Sequence, residues 1–546
     1  METGARFDWR RGAPLLAVLA LAVYLIFFDL GGPWLWEDEG DTAAFARNIV
    51  ATGLPTAWDG RSFLDSDYGF RVMPRLFGND LVMVGTPWLP FYATAGSFAL
   101  FGESNTAARL PFAIASLASV ALLYLFVLRA AGCTRAALAA SILLVASTQF
   151  LLYAREARGY GFNMFFTLLL LWGFLRLGER RRDPWLVIAA ILLFHSQFMP
   201  AVIALGACAS LALARPSFRS KLVPLLWRAP WVLAGTLPWL LVTWSAAQTN
   251  WKPLENALEY PGRIAQLAAE TMVAVPWLGW GIGVPMFWRR FTPRDRDLLA
   301  IAGAFMAVLF ALLPIAAAVT GVLVARASGG RTLAYALLLV LFGATHIAGN
   351  TLPWLALGEG RQLGNKFVFV NAPRELGEKV VNASWWYFIR GLGVPDPGTL
   401  PQIVDWVRAH AAPEDILVTN FAWDNLYFYT KQRQGFRMKP EAPVRETALA
   451  LGLPSYVFGL DDAKWLIWRH ASDPLPGYPF EKVRRELEAR GAKLEPVASF
   501  REVLWENRPE LHWHRFPRVG YPFAPRRIGA GGPKYPDAVV YRVVWP

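Results

Sequence analysis

Acidic residues gather just after the first apolar segment of the chain. Residues 13–30 are apolar, and the motif WEDEGD (residues 36–41) that follows places four acids within five positions. A charge near the centre of a bilayer costs roughly 2.5–3.5 kcal/mol, so these acids must lie at or beyond the membrane edge. Asp38 could accept a proton from a hydroxyl nucleophile, and Glu39 could orient it or help to hold a divalent cation. The acids also suit the N-terminus of a helix over residues 42–50, and the two interpretations are compatible.

Two arginines, Arg155 and Arg158, occupy the connection YAREARGY (residues 153–160) between two predicted helices. The alternation of charge along the chain places this connection on the face where positive charge is normally depleted. The planar guanidinium group suits phosphate, so an anionic substrate at the outer leaflet would explain both residues. A local ion pair with Glu156, which lies between them, is the alternative.

Arg109 and His195 stand at the outer ends of other predicted helices. An isolated histidine beside an apolar helix more often has a structural role than a chemical one. A Walker loop, a dinucleotide glycine fingerprint, the HExxH motif and the GxSxG motif are all absent from the sequence. The chain therefore lacks the usual marks of a nucleotide-driven enzyme.

The composition is that of a polytopic membrane protein. Of the 546 residues 55% are hydrophobic, and several apolar runs approach or exceed the ~20 residues that a spanning helix needs. The formal net charge of +13 comes from Lys and Arg in short connections between these runs, as orientation signals do, which argues against a nucleic-acid partner. Cys133 and Cys208 lie far apart, so neither a disulfide framework nor a thiolate metal site is predicted.

The later apolar runs predict further helices, and the basic connections between them predict the orientation. The helices cover residues 109–129, 135–153, 160–177, 185–199, 200–214, 229–246, 268–288, 298–318 and 332–352. Basic connections at residues 176–182, 215–228 and 289–296 recur two helices apart, which assigns them to the cytoplasmic side. The opposite side then receives the acidic motif, the two arginines, His195 and the loop 247–263.

The number of crossings decides on which side the tail lies. About ten spans with an inside N-terminus would leave the C-terminal region inside as well. One further crossing or re-entrant segment between residues 298 and 365 would put the tail outside. Arg326 and Arg331 leave the last apolar region ambiguous.

The chain divides into a membrane domain over residues 1–362 and a soluble α/β domain over residues 363–546, which we expect on the extracytoplasmic face. Residues 31–83 form a first outer loop that carries the acidic motif and is too long for a simple connection. The apolar segment 84–101 contains Pro87 and Pro90, which suits a segment lying at the interface.

In the tail, residues 415–420, 464–468 and 538–544 are predicted to be strands, and residues 480–490 an amphipathic helix.

Three segments carry a resemblance to a known family. They are Asp38-Glu39 with AAFARN (residues 43–48), GESNTAARLPF (residues 102–112) and REARGY (residues 155–160). In order and spacing they resemble the membrane-embedded GT-C glycosyltransferases, particularly the branch of protein O-mannosyltransferases and lipid A aminoarabinose transferases. The Pro-Pro pair common in that branch appears here as Thr86-Pro87-Trp88, and an Arg-Tyr pair opening a late helix is missing, with Arg331-Thr332 the nearest candidate.

The resemblance implies a transferase that uses a polyprenyl-phosphate sugar at the outer face and inverts the anomeric centre. Asp38 would be the base with Glu39 beside it, and Arg155 and Arg158 would receive the lipid phosphate. The donor-binding set that we predict also includes Tyr160, Arg109 and His195. No cofactor is certain; a divalent cation, Mg²⁺ or Mn²⁺, on Asp38 and Glu39 stays open because family members differ in this requirement.

The sequence thus predicts a multi-pass protein of the cell (inner or plasma) membrane, GT-C-like, with about ten to thirteen transmembrane helices and a C-terminal soluble α/β domain. The acceptor would be a hydroxyl or amine of a lipid, glycan or protein, and membrane lipids surround the helices. The alternative is a transporter or flippase of lipid-linked sugars, although no convincing internal repeat is present. A scaffold would not explain acids and arginines on one face. Phosphoethanolamine transfer would need a nucleophile and metal ligands that the sequence lacks.

Overall fold

A helical region precedes an α/β domain in the computed structural model. The structure describes residues 9–64, 82–179, 183–247, 277–306, 312–327, 359–363, 366–370, 388–389, 392–393, 399–420, 423–436, 449–450, 452–469, 480–500, 503–504, 526–527 and 538–546. The α-helices of the first region are α1 (Trp9–Phe27), α2 (Glu37–Thr52), α3 (Leu89–Phe101), α4 (Asn105–Ala131), α5 (Thr134–Ala146), α6 (Thr148–Ala154), α7 (Tyr160–Arg176), α8 (Trp185–Ser196), α9 (Phe198–Ala214), α10 (Leu222–Leu226), α11 (Ala229–Ala247), α12 (Trp277–Phe287), α13 (Pro293–Met306) and α14 (Leu312–Arg326). Short 3-10 helices cover Pro216–Lys221 and Trp288–Arg290.

Helix α4 is long and apolar enough to cross a bilayer. It has 27 residues, which at about 1.5 Å per residue extend for about 40 Å, and an 18-residue window within it has a mean hydropathy of 2.2. Within the described residues it alone meets both criteria; α9 and Pro216–Leu226, bent by 118°, would be a second span if taken together. Shorter apolar helices of 10–17 residues lie within α1, α3, α5, α7, α8, α11 and α14. The larger number of spans expected from hydropathy stays a prediction.

Two breaks in the helices differ from the sequence prediction. The helix predicted over residues 135–153 is divided at Ser147, whose backbone is extended and whose hydroxyl accepts a hydrogen bond from the Phe150 amide. The division predicted near Pro200 occurs instead at Gln197, which has φ −162° and ψ 119°. Pro200 lies in the first turn of α9, where its missing N–H would have had no helical partner.

The segment 84–101 is helical from Leu89 onward, with Pro90 again in the first turn. Its placement at the membrane interface stays a prediction. The single helix predicted over residues 298–318 is wrong, because this part of the chain contains two helices, α13 and α14. The guanidinium group of Arg326 binds the buried carboxylate of Asp295 through Nε at 2.9 Å and Nη2 at 3.1 Å. The end of α14 therefore lies beside the start of α13.

This pairing bears on the number of crossings. Because α13 and α14 return the chain to the side on which α13 began, the basic connection 289–296 and Arg326 share one face. The helix predicted over residues 332–352 would then take the chain to the opposite face. Those residues, with Arg331, residues 248–263 of the predicted loop and residues 268–276 of a predicted helix, lie outside the described part of the chain.

The α/β domain contains a five-stranded mixed sheet in the order β4-β3-β5-β9-β6. Its described elements are α15 (Thr399–His410), β3 (Ile416–Thr419), α16 (Trp423–Thr430), β4 (Arg433–Gln434), a 3-10 helix (Ser455–Phe458), β5 (Ala463–Arg469), α17 (Phe480–Ala489), β6 (Lys493–Phe500) and β9 (Ala538–Val544). Two separate antiparallel pairs join β1 (Glu359–Leu363) to β2 (Lys366–Val370) and β7 (Val503–Leu504) to β8 (Arg526–Arg527). Strand β3 is parallel to β4 and β5, while β9 is antiparallel to β5 and β6. The strands and the amphipathic helix predicted in the tail are confirmed. Strand β3 is buried along its whole length, as its continuous apolar run requires.

Candidate active site

A buried ion pair joins the acidic motif to helix α4. Arg109 donates from Nε to Oε1 of Glu39 at 2.8 Å and from Nη2 to Oε2 at 2.7 Å. The residues are 4% and 1% exposed. Such a two-point contact between a planar guanidinium and a carboxylate fixes orientation as well as distance. The start of α2 is thereby held against the start of α4, as expected from the outer positions of both segments.

Glu39 has two further donors, so all of its strong acceptor positions are in use. The Ala157 amide donates to Oε1 at 2.6 Å, which ties the connection between α6 and α7 to the same carboxylate. The Trp36 amide donates to Oε2 at 3.2 Å, as a residue at the third helical position does in a capping box. The capping interpretation of the acidic motif therefore applies to Glu39.

Arg109 also organises the turn that leads from α1 to α2. Its Nη1 donates to the carbonyl oxygens of Leu30 at 2.9 Å and Pro33 at 2.6 Å, and its Nη2 donates to that of Trp34 at 3.1 Å. These carbonyls have no partner in regular secondary structure, so the guanidinium group satisfies them where water is excluded. Arg109 therefore has a structural role, because it joins the turn after α1 and the start of α2 to helix α4.

Asp38 points in a different direction and pairs with Arg158. Nη2 of Arg158 lies 2.9 Å from Oδ2 of Asp38, and each side chain is 25% exposed. The pair is therefore accessible, whereas the neighbouring pair of Glu39 and Arg109 is closed. A carboxylate that can take a proton and a guanidinium that can bind phosphate thus stand side by side at the surface of the site.

Arg155 lies next in the chain to these groups but has a different environment. Its Nη1 donates to the carbonyl oxygens of Leu25, Ile26 and Phe28 at 3.1, 3.0 and 2.8 Å, and its Nη2 donates to that of Asp29 at 2.9 Å. The cation thus closes the C-terminal end of α1, where unpaired carbonyls and the helix dipole favour positive charge. Burial, followed by the charge of Arg109, lowers the pKa of Arg155 to about 10.

Glu156 is 1% exposed, and neither of its carboxyl oxygens has a hydrogen-bond partner among the described residues. The local ion pair with its neighbouring arginines, the alternative considered from the sequence, is not formed as a hydrogen-bonded contact. Burial, and then the negative charge of Glu39, raise the pKa of Glu156 well above its ordinary value of 4.5, while Arg158 opposes the shift. A neutral carboxyl group is the form that this environment favours.

Tyr160 and His195 complete the set predicted from the sequence. Tyr160 is the first residue of α7 and follows Arg158 by two positions in the sequence. Its ring packs on that of Tyr153, with the ring centroids 4.7 Å apart. Nε2 of His195 donates to the carbonyl oxygen of Gly235 at 2.9 Å, and its ring lies edge-on to Trp239. These contacts tie His195 to α11, and none of them joins it to the acidic motif.

The start of α2 is also covered by α16 of the α/β domain. A Cβ atom on Gly40 would lie 2.6–2.7 Å from atoms of Asn425, so the two segments meet at backbone contact. Asn425 is fully buried and donates from Nδ2 to the Leu35 carbonyl at 2.7 Å. The Tyr429 hydroxyl accepts from the Leu35 amide at 2.8 Å and donates to Asn105 at 2.7 Å. Helix α16 thus contacts both α2 and the start of α4.

Arg47 and Asp59 extend this contact along the first outer loop. The guanidinium group of Arg47 lies over the Phe428 ring at 4.5 Å and donates from Nη2 to the Phe428 carbonyl at 2.7 Å. The hydroxyl of Tyr427 donates to Asp59, and that of Tyr456 donates to the Arg61 carbonyl. The α/β domain is therefore fixed to the segment that carries Asp38.

Two carboxyl groups meet where α16 reaches α2. Burial and the carboxylate of Asp424 raise the pKa of Asp41 well above its ordinary value of 3.8; Asp38 adds to the shift, and Arg158 opposes it. The protonated Asp41 can donate a hydrogen bond to Asp424, which two ionised carboxylates could not share. Neither Asp424 nor Asn425 was predicted from the sequence as a site residue. Their position just after the carboxyl end of parallel strand β3 is a signal that could have pointed to them.

The geometry around Glu39 does not fit a metal ion. Both oxygens of Glu39 are taken by Arg109 and by backbone amides, so a cation would have to displace these donors. Across the part of the chain that the structure describes, no group of three or more His, Cys, Asp or Glu side chains is arranged to hold a metal. Glu39 binds Arg109 in this structure, and the reaction proposed below uses no metal ion.

Comparisons with known proteins agree with the motif resemblance. Residues 85–242 match the family described as dolichyl-phosphate-mannose-protein mannosyltransferase. The structure of ArnT from Cupriavidus metallidurans bound to undecaprenyl phosphate aligns with a TM-score of 0.56 at 16% identity, over 89% of this chain and 96% of that one. The chain has the GT-C glycosyltransferase fold.

A second structure with the GT-C fold, apo ArnT from the same organism, aligns with a TM-score of 0.53 at 16% identity, over 84% of this chain and 92% of that one. No curated protein matches the sequence. Tyr160 packs on Tyr153, and the other predicted site residues separate into three groups. Asp38 and Arg158 form an accessible ion pair. Glu39, Arg109 and Arg155 are bound to backbone groups, and Glu39 and Arg109 also bind each other. His195 contacts helix α11.

Proposed function

We propose that the chain transfers a sugar from a polyprenyl-phosphate donor to a hydroxyl or amine acceptor at the extracytoplasmic face of the cell membrane. The observation that carries this proposal is the contact of 2.9 Å between Asp38 and Arg158, which puts a proton acceptor and a phosphate ligand side by side in an accessible position. The likeness to a structure that holds undecaprenyl phosphate supports the choice of donor.

In the reaction that we propose, Asp38 is the general base. The acceptor oxygen or nitrogen forms a bond to the anomeric carbon while the bond from that carbon to the phosphate oxygen breaks. The acceptor proton passes to the carboxylate of Asp38, and the lipid phosphate leaves with the electron pair. A single displacement of this kind inverts the anomeric centre.

Arg158 is the residue that we assign to the departing phosphate. Its guanidinium group carries the charge and the planar fork that stabilise negative charge as it develops on the phosphate oxygens. Arg155 was predicted for the same task, but its contacts with four carbonyl oxygens suit a supporting role at the end of α1. Tyr160, next to this connection, is the further donor contact that we propose.

The residues around the Asp38–Arg158 pair hold its backbone in a fixed position. Asp38 and Glu39 are neighbours in α2, and Glu39 is locked by Arg109 and the Ala157 amide, so the backbone on both sides of the Asp38–Arg158 contact is held. Reacting groups gain most when they are held in a near-attack geometry before the substrate arrives. We therefore propose positioning roles for Glu39 and Arg109.

We place the α/β domain on the same, extracytoplasmic side and propose that it forms part of the acceptor platform. The contacts of α16 with α2 support this side, because Asn425 and Tyr429 bind the backbone of Leu35, next to the acidic motif. The reversal of direction by α13 and α14 is consistent with one more crossing before the tail.

The test is sugar transfer by the full-length protein in proteoliposomes supplied with a panel of polyprenyl-phosphate sugars. Wild type should consume a donor, and Asp38→Asn should lose turnover by about a hundredfold or more while its melting temperature stays close to that of wild type. Glu103→Gln is the matched control, because Glu103 is an exposed outer carboxylate that pairs only with Arg47 and Lys431 in the described contacts. If wild type and Asp38→Asn move donor across the bilayer equally and neither consumes it, the chain is a transporter.

A further inference from the structure

A second basic site lies at the other end of helix α4. A cavity of about 510 Å³ opens between the C-terminal ends of α4 and α7, the 3-10 helix Pro216–Lys221 and the start of α13. From Arg109 to Arg129 the helix rises about 30 Å, at about 1.5 Å per residue, so the cavity and the Asp38 site lie on opposite sides of the helical region. The basic connections near the cavity are those that the charge pattern assigns to the cytoplasm.

The polar part of the cavity is positively charged. It is lined by Arg129, Lys221 and Arg294, with Asp297 as its one lining acid. Asp297 is already bound by Arg215 at 3.2 Å, so it does little to neutralise the three cations. Burial, and then the positive charge of Arg129, lower the pKa of Lys221.

The contacts of these cations leave charge unbalanced inside the cavity. Lys221 donates to the carbonyl oxygens of Leu175 and Leu177 at 2.7 and 3.0 Å, and it has no carboxylate partner in the described residues. Arg294 extends over the backbone of Gly132, and it too forms no ion pair within the described part of the chain. Arg129 pairs with Glu179, which is half-exposed and does not line the cavity.

The remaining walls are apolar and continue onto the outer surface of the helices. Leu128, Leu175, Leu298 and Ile301 line the cavity. Leu125 lines it as well and is 45% exposed, so the cavity is continuous with a face that would contact lipid. A free phosphate ion would use only the cations, whereas a phospholipid would use both the cations and these walls.

We propose that this cavity binds the phosphate headgroup of an anionic phospholipid of the cytoplasmic leaflet through Lys221, Arg294 and Arg129, with an acyl chain along the leucines. Basic pockets between transmembrane helices on the cytoplasmic side are suited to such headgroups. The site is independent of the sugar-transfer reaction, because none of its residues belongs to the Asp38 region.

Native mass spectrometry of the full-length protein in detergent tests this proposal. Wild type should retain phosphatidylglycerol in preference to phosphatidylcholine with the same acyl chains. Lys221→Gln/Arg294→Gln should lower the apparent affinity for phosphatidylglycerol about tenfold or more, and the charge-retaining Lys221→Arg/Arg294→Lys should keep most of it. Arg219→Gln is the matched control, because Arg219 is an exposed cation of the same short helix that does not line the cavity.

Three results would overturn the proposal. They are equal binding of phosphatidylglycerol and phosphatidylcholine by wild type, unchanged binding by the double glutamine variant, and equal binding of soluble glycerol phosphate at the same concentration, which would mean a site for a free anion. If the double glutamine variant fails to fold by size-exclusion chromatography, Arg294→Gln alone carries the comparison with Arg219→Gln. An unchanged affinity in that pair would also overturn the proposal.

Discussion

Asn425 of the α/β domain packs against the backbone of Gly40 in α2 at a distance that leaves no room for a side chain at position 40. This contact lies between two acids of the motif, Glu39 and Asp41. The alignment of Asp38 therefore depends on a helix that is nearly 400 residues away in the sequence, since Asn425 and Leu35 are separated by 390 positions.

Gly40→Ala should disturb this contact. The added methyl group would overlap atoms of Asn425, and overpacking of this kind costs about 1–3 kcal/mol. We expect a lower melting temperature and a lower rate of donor consumption. Gly96→Ala is the control, because Gly96 lies in α3 with open space at its Cβ position, and the change should be neutral or stabilising by up to about 1 kcal/mol. Equal melting curves for both variants would contradict the close contact.

Glu39→Gln should destabilise the protein because it leaves the Arg109 cation buried beside a neutral amide. Removing one partner of a buried ion pair costs about 3–5 kcal/mol. The exposed pair of Arg484 and Glu481 provides the comparison, and Glu481→Gln should cost about 1 kcal/mol or less. Thermal unfolding of both variants in detergent measures the difference. If the two substitutions lower the melting temperature by the same amount, the pair of Glu39 and Arg109 is not closed to water.

Arg155→Gln should lower stability, whereas Arg158→Gln should lower donor turnover. The former removes the group that satisfies the last carbonyls of α1, so the melting temperature should fall. The latter breaks a partly exposed ion pair, whose loss costs about 1 kcal/mol or less, but it should lower donor turnover about tenfold to a hundredfold. Turnover and melting temperature measured on the same preparations distinguish the two roles. A large loss of stability in Arg158→Gln with normal turnover would reverse the assignment.

Asp41→Asn should change the dependence of stability on pH. The folded state raises the pKa of Asp41 above its ordinary value of 3.8, so above that pH the folded protein holds a proton that the unfolded chain releases. The free energy of unfolding should therefore fall as pH rises through this range. The groups that face Asp41 are Asp424, Asp38 and Arg158.

An asparagine at position 41 cannot ionise, and it can still donate a hydrogen bond to Asp424. The variant should therefore gain stability relative to wild type as pH increases above 3.8, the ordinary pKa of the aspartate side chain. The raised pKa of Glu156 gives wild type and Asp41→Asn the same additional slope, which the difference between them removes. Parallel curves for the two proteins would mean that Asp41 is ionised in the folded state.

Much of the site was predictable because its residues are close in sequence or lie at helix ends. Asp38 and Arg158 were identified from acid and base on one face, and the structure pairs them. The apolar run predicted the start of α7 at Tyr160, and it predicted α4 from residue 109, four residues after its start at Asn105. Local hydrophobic pattern determines such elements, and the pattern is visible in the sequence.

The parts that were not predictable depend on contacts with backbone or on distant segments. Arg155 resembles a phosphate ligand by type, but its partners are carbonyl oxygens of α1. Every residue has a backbone carbonyl, so the sequence does not indicate which of them bind a side chain. The division of the 298–318 helix into α13 and α14 likewise became visible through the long-range bond of Arg326 to Asp295. Asn425 and Leu35 are 390 positions apart, and no sequence pattern indicates that they are in contact.

The way in which α16 is attached has an evolutionary consequence. In the bonds of Asn425 to Leu35 and of Arg47 to Phe428, a side chain on one segment meets a carbonyl oxygen on the other. A carbonyl oxygen is present whatever residue occupies the position, so the receiving residue can mutate without loss of the bond. The residue types at Leu35 and Phe428 are thus free to change in descendants as far as these two bonds are concerned, whereas the donors Asn425 and Arg47 must be inherited for the alignment of Asp38 to persist.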